Sequence, residues 1–477
     1  MFLKKATKKW EAFVNVQKLL LPEGDFRLLF EKAPLLWSEE EKCKGLVLAV
    51  KSMLYGFLFH MKVTEAFYKK GEQNMISHNM KKLIEKSAGI SALFTEAKRM
   101  KQQYGPENVY DFGIGNPNVK APESINKTAI EILQREESLL LHGYTDTVGY
   151  AEVRKKIANH LNRRFDTDFA EDNIVMTVGA AGGLNVIFKV LLNPEEEVLT
   201  FAPFFSEYSA YAMNAGAVLN AVAPNLETFL PDLTALEESI TEKTKIVLIN
   251  SPNNPTGVVY DESIIAEIGC ILEEKQKEYG TSIYLVADEP YRELVYDGAE
   301  VPYVPHYYKN TIVAYSFSKS LSLPGDRIGY LVLPSELEDF EQIRQGAEVA
   351  TRVLGFVNAP ALQQRVVAEC CDELTDVAFY DANRELLYTA LQSYGYECIK
   401  PQGAFYLFVK ALEADDNAFC QKAKEYRLLL TPATGFGCPG YVRIAYCVSR
   451  QTIEKALPAF EALKKYYEAD TYGSVDA

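Results

Sequence analysis

The chain has 477 residues, and 48% of them are hydrophobic, enough for two or three domains with a large buried core. A net charge of −15 excludes nucleic acid and an anionic membrane surface as main partners, because both bind clustered positive charge. Eight dispersed cysteines with no CxxC pair read as reduced thiols of a reducing, cytoplasmic compartment, and five dispersed histidines offer no metal site.

Residues 1–74 differ from the rest. They hold both tryptophans, Trp10 and Trp37, and a net charge of +4, which leaves −19 on the remainder. Their apolar run, 45–61, is broken by Lys51 and His60 and falls short of a membrane span, and it comes too late for a signal peptide. Met75 opens a stretch that reads as the start of an enzyme. The preceding Lys69-Lys70-Gly71-Glu72 can be encoded by a purine-rich ribosome-binding sequence, so 1–74 is expected to be a translated leader or a small helical extension.

Further on, short apolar runs alternate with amphipathic stretches. The runs are 174–178, 197–201, 245–249, 283–287, 311–315 and 328–332. Each is nearly continuous in apolar residues, as in a sheet covered on both faces, and 262–279 between two of them has helical spacing. The pattern predicts an α/β fold with a mostly parallel sheet. Polar or glycine-rich residues follow five of the runs: Gly179–Gly183, Pro203-Phe204-Phe205, 250–257 (NSPNNPTG), Asp288-Glu289-Pro290-Tyr291 and Ser316-Phe317-Ser318-Lys319. Open α/β sheets bind ligands at these carboxyl ends of strands, so the five motifs converge on one crevice.

The residue types suggest a chemistry. The turn at Gly179–Gly183 opens a helix and suits either an anion at its N-terminus or close packing. Lys319, at a strand end, can act as an amine nucleophile when partly desolvated, and Arg327 eight residues on can hold a phosphate. Asp288 ends an apolar strand and needs a cationic partner, such as a protonated ring nitrogen, or several donors. Asn254 and Tyr291 can hydrogen-bond a ring oxygen, and Phe205 can cover a ring face.

At these residues the chain resembles the class I/II, fold type I aminotransferases that use pyridoxal phosphate, over about residues 80–465. The most specific piece is 316–329 (SFSKSLSLPGDRIG), with NNPTG at 253–257 and the Asp288 and Tyr291 pair in the same order. The resemblance implies a large domain at 122–350, sandwiched by helices. It also implies a smaller α/β domain at 351–467 joined by part of 75–121, and a tail at 468–477. It makes Lys319 the lysine that carries the cofactor and moves the substrate Cα proton. Asp288 is set against the ring nitrogen, Asn254 and Tyr291 against the ring oxygen, and Phe205 on the ring face. The phosphate goes to Ser316, Ser318, Arg327 and the backbone of Ala180 and Ala181. Arg443 and the Gly115 backbone would take the substrate α-carboxylate, and Asn254 would also contact the substrate. The segment 400–406 would lie near the pocket. Tyr144 would reach the phosphate of a neighbouring subunit, which implies a homodimer with composite sites. The small-molecule substrates would be an L-amino acid and a 2-oxo acid, used by turns.

Side-chain specificity is not legible. Aspartate with 2-oxoglutarate is the expected type of pair, yet Ala181 stands where some relatives place a lysine for a second carboxylate. Arg352 is the remaining candidate reader, and without it the pocket would favour neutral or aromatic amino acids. A C–S lyase acting by β-elimination would share every cofactor contact. A regulator would need a basic helix-turn-helix in 1–74, where none is evident, and a catalytically dead relative would not keep all these residues.

Overall fold

The structure, a computed structural model, describes residues 76–473, so the expectations for 1–74, the 45–61 run included, lie outside the described residues. Every strand among the described residues lies within 81–473.

Twelve strands are present among the described residues: β1 (Tyr110–Asp111), β2 (Ile174–Thr177), β3 (Glu197–Phe201), β4 (Val218–Val222), β5 (Thr244–Asn250), β6 (Tyr284–Asp288), β7 (Thr311–Ser316), β8 (Gly329–Val332), β9 (Tyr406–Lys410), β10 (Leu428–Leu429), β11 (Thr431–Pro432) and β12 (Tyr441–Ala445). Seven of them form the central sheet in the order β2-β8-β7-β6-β5-β3-β4. All pairings in it are parallel except those of β8 with β2 and β7, so the sheet is mostly parallel, as expected for α/β. Strand β4 was not foreseen. It lies at the sheet edge with most of its side chains exposed, so it lacks the continuous apolar run of a covered strand.

Residues along the inner strands alternate between two cores. Val247, Ile249, Leu285 and Val313 enter one; Ile246, Leu248, Val286 and Ile312 enter the other. The helix Glu262–Tyr279 begins where the Asp261 side chain accepts from the Ile264 N–H (3.0 Å) and ends at Gly280, whose φ of 65° suits glycine. A third core surrounds the antiparallel sheet β11-β12-β9, where Leu407, Val409, Val442 and Ile444 pack with Tyr380, Leu387 and Phe460 from the helices Val377–Ser393 and Arg450–Gly473.

Register positions the site. Asn250 of β5 pairs with Asp288 of β6, and Asp288 pairs with Ala314 of β7, two residues before Ser316. Three chemistry-bearing strand ends therefore lie side by side.

Candidate active site

A cavity of about 1030 Å³ opens at these strand ends. It is lined by Gly115, Ala180, Ala181, Phe205, Asn254, Asp288, Tyr291, Ser316, Ser318, Lys319, Arg327 and Arg443, so the structure brings together every candidate site residue expected from sequence except Tyr144 and Arg352. Tyr144 is 90% exposed on this chain and does not line the cavity. Arg352 is also exposed and away from the cavity, on the helix Phe340–Val353.

Lys319 sits in the single turn Phe317–Ser320 that follows β7. Its Nζ donates to the Gly115 carbonyl (3.0 Å) and lies 5.0 Å from the centre of the Phe405 ring. Burial among these groups pulls the amine down to about 8, with Arg443 and Arg327 acting in the same direction. An amine in that range is partly neutral near pH 7, as a nucleophile or proton carrier must be. Gly115 has no room for a side chain: a Cβ there would stand 2.1 Å from the Tyr406 hydroxyl.

Asp288 is buried at the end of β6, and burial pushes its carboxyl up to about 7. One carboxylate oxygen, Oδ2, accepts the Tyr208 hydroxyl at 2.5 Å; the other, Oδ1, is buried with no partner. The Asn250 amide donates to the Asp288 backbone carbonyl (2.8 Å), and its oxygen accepts the Asn254 N–H (2.7 Å), which ties the 250–257 turn to the neighbouring strand.

The helix Ala180–Leu191 starts after Gly179, whose φ is 82° and which supplies no side-chain cap. The small residues are thus mostly the helix's first turn and not a separate loop. The two readings of them divide between positions. A Cβ on Gly182 would stand 2.4 Å from Val178 and one on Gly183 3.0 Å from Leu331, so these two glycines serve close packing. Ala180 and Ala181 face the cavity, where the free N–H groups and the helix dipole favour an anion. Arg327 lies over Gly179, its guanidinium donating to the carbonyls of Val178 (3.2 Å) and Pro324 (2.9 Å). Ser316 and Ser318 share a hydroxyl contact of 2.7 Å beside this turn.

On the opposite wall, Arg443 of β12 donates to the Asn254 side chain (3.1 Å) and to the Gly113 carbonyl (2.9 Å). Its guanidinium carbon lies 4.6 Å from the Tyr406 ring centre and 5.0 Å from that of Phe436, and its Nε is buried without a partner. Tyr291 and Tyr406 join hydroxyls at 2.7 Å, and burial drives the Tyr291 phenol well above its ordinary range.

Three residues escaped the sequence reading: Tyr208, Asn250 and Tyr406. Asn250 opens the 250–257 motif, and Tyr406 closes the segment 400–406, whose nearness to the pocket is a family expectation. Tyr208 carried only one signal, its position three residues after Phe205, a spacing that a single turn closes, with the Tyr208 N–H donating to the Phe205 carbonyl (3.0 Å).

The model of the family described as aminotransferase class I and II matches residues 107–460. The chain belongs to that family. It is 31% identical to the aspartate aminotransferase of Thermotoga maritima over 359 residues, which cover 74% of this chain and 91% of that one. It is 30% identical to the aspartate aminotransferase of Pyrococcus horikoshii over 397 residues, 81% of this chain and 96% of that one. Among solved structures, an amino transferase from Eubacterium rectale is 47% identical, with a TM-score of 0.77, covering 84% of this chain and 98% of its own. The protein is therefore a transaminase of the fold type I class acting on small molecules, and the C–S lyase alternative is not favoured.

This family's enzymes use pyridoxal phosphate, and the cavity suits it. An unpartnered carboxylate oxygen awaits a cationic N–H, an uncapped helix start beside Arg327 awaits an anion, and an amine of lowered basicity lies in the same cavity. Among the described residues no helix is long and apolar enough to cross a membrane.

Proposed function

We propose that the chain moves an amino group from an L-amino acid to a 2-oxo acid in two half-reactions, each served by the same set of site residues. The observation that carries this reading is the shared cavity. It holds the Lys319 amine, the unpartnered Asp288 oxygen and the Arg443 guanidinium with a free Nε. Bound pyridoxal phosphate supplies an electron sink that accepts the amino group and returns it. Asp288, whose Oδ1 has no partner in the protein, would hold the ring nitrogen, and a cation there would favour the ionised form of its raised carboxyl. Ser316, Ser318, Arg327 and the N–H groups at Ala180 and Ala181 hold the phosphate. Asn254 and Tyr291 hold the ring oxygen, and Phe205 covers the ring. Arg443 takes the substrate α-carboxylate, assisted by Asn254 and the Gly115 backbone. Lys319 removes the proton from the substrate Cα and later returns it at the carbon that receives the amino group.

A cytoplasmic homodimer belongs to the same proposal. All described cysteines are free thiols, and Tyr144 stands out from the chain beside exposed Leu139 and Leu140, as a residue reaching a neighbouring subunit would. The division into a large domain (122–350) and a small one (351–467, with part of 75–121) rests on the two sheets, whose cores are mostly distinct, although Val366, Val367, Phe408 and Phe436 join a core of the central sheet and Tyr291, Leu294 and Tyr296 join that of the three-stranded sheet.

For substrates we favour aspartate or a related amino acid with 2-oxoglutarate, on the names of the relatives. A specific observation favours neutral or aromatic donors instead: Ala181 provides no lysine, Arg352 is off the cavity, and Phe204, Tyr211 and Phe436 line the walls, where Lys424 is the one cation among the lining residues not already assigned a role. A panel of L-amino acids with 2-oxoglutarate or pyruvate, read out by cofactor absorbance, decides between them. At least one pair should turn over with the parallel-line kinetics of a substituted-enzyme mechanism. Release of ammonia and a 2-oxo acid without any acceptor would overturn the transamination reading.

A further inference from the structure

The carboxylate opposite the ring nitrogen has two oxygens, and only one can face the cofactor. The structure shows what occupies the other. Tyr208 is fully buried on the helix Glu207–Ala215, its hydroxyl 2.5 Å from Asp288 Oδ2, while Oδ1 stays unpartnered at the cavity. The Tyr208 ring is itself braced edge-on against Phe205 (5.5 Å between centres, 86° between planes). Phe205 and Tyr208, three residues apart, thus present a ring cover and a carboxylate holder from one turn.

We propose that Tyr208 is a positioning residue for the cofactor: by donating its only proton to one oxygen of Asp288, it aims the other oxygen at the ring nitrogen and keeps the carboxylate ionised there. This rests on the assignment of Asp288 to the ring nitrogen given above. Donation is the one role open to this phenol. Burial and the neighbouring carboxylate drive Tyr208 well above its ordinary range, so it stays protonated at every working pH. Its hydrogen bond pulls Asp288 down, against the upward push of burial and of the adjacent Glu289. The other titratable groups close enough to act on this pair are Tyr211 on the same helix and Tyr291 on the segment after β6, both neutral phenols held above their ordinary range. Nothing else among the described residues donates to the Asp288 carboxylate, so the hydroxyl has no stand-in.

Tyr208→Phe removes one hydroxyl and keeps the ring against Phe205. The holoenzyme of this variant should release pyridoxal phosphate with a dissociation constant raised about tenfold, the usual weight of a hydrogen bond to a charged group. The pH midpoint of its cofactor absorbance should move by about one unit, and kcat should fall while KM changes little. Tyr208→His, which restores a donor, should recover most of both the dissociation constant and the midpoint. A purely structural role for the tyrosine would shift the melting temperature without moving the midpoint. The proposal is overturned if Tyr208→Phe matches wild type in dissociation constant and midpoint. If that variant does not fold, Tyr208→His decides, and a tenfold loss in it would count against the proposal. Wild type that takes up no cofactor at all would instead overturn the assignment of the cavity, and this inference with it.

Discussion

The cavity has a floor and a wall, and the two are built differently. The floor is the row of strand ends on the central sheet, where register puts Asn250, Asp288 and the β7 end beside one another. Its polar groups are fixed by backbone or by buried side chains: Asp288 by Tyr208 and Asn250, Lys319 by the Gly115 carbonyl, Arg327 by two carbonyls. The wall comes from β12, from residues 430–437 and from one face of the helix Asp416–Glu425, where Asn417, Cys420, Gln421 and Lys424 recur at helical spacing. Part of it is fixed as well, Thr431 donating to the Gly113 carbonyl (3.0 Å) and Thr434 to the Asp416 carboxylate (2.7 Å), but Gln421 and Lys424 are longer and less constrained, Lys424 reaching only the Gln421 side chain (2.8 Å). A prearranged floor suits chemistry common to all substrates, and an adaptable wall suits the choice among them.

That contrast can be broken experimentally. Arg443 is a wall residue built like the floor, buried against two rings, and it is the proposed partner of the carboxylate every amino acid carries. Arg443→Lys keeps the charge and loses the planar fork, so kcat/KM should fall by about 2–5 kcal/mol for all donors alike, mostly through KM. A loss confined to some donors, measured across the same amino-acid panel, would place Arg443 with the selective residues. The smallest effect is expected at Lys424. Lys424→Ala should reorder the preferred donors by about tenfold or less and leave cofactor affinity as in wild type. Equal loss for every donor would show that the wall shares in the common chemistry.

The same contrast explains what the sequence made legible. Floor residues come as short motifs directly after apolar runs, so Lys319, Asp288, Asn254 and the Gly179 turn could be placed on one crevice before any coordinates. The mostly parallel sheet followed from runs covered on both faces. Strand β4 escaped because an exposed edge has no such run, and the reversal of β8 escaped because strand direction leaves no mark on composition. Tyr208 was missed for a different reason. Its meaning lies in a contact with Asp288, eighty residues away, that only the folded sheet creates. Substrate choice stayed hidden because the wall draws single residues from distant segments and not from one motif.

The central claim is that the amine of Lys319 is the group that carries the cofactor. Borohydride reduction of the yellow holoprotein, then proteolysis and mass spectrometry, tests it directly. A single pyridoxyl phosphate adduct is expected on the peptide containing Lys319, and none after Lys319→Ala. An adduct on another lysine, or a holoprotein that gives no adduct, would contradict it.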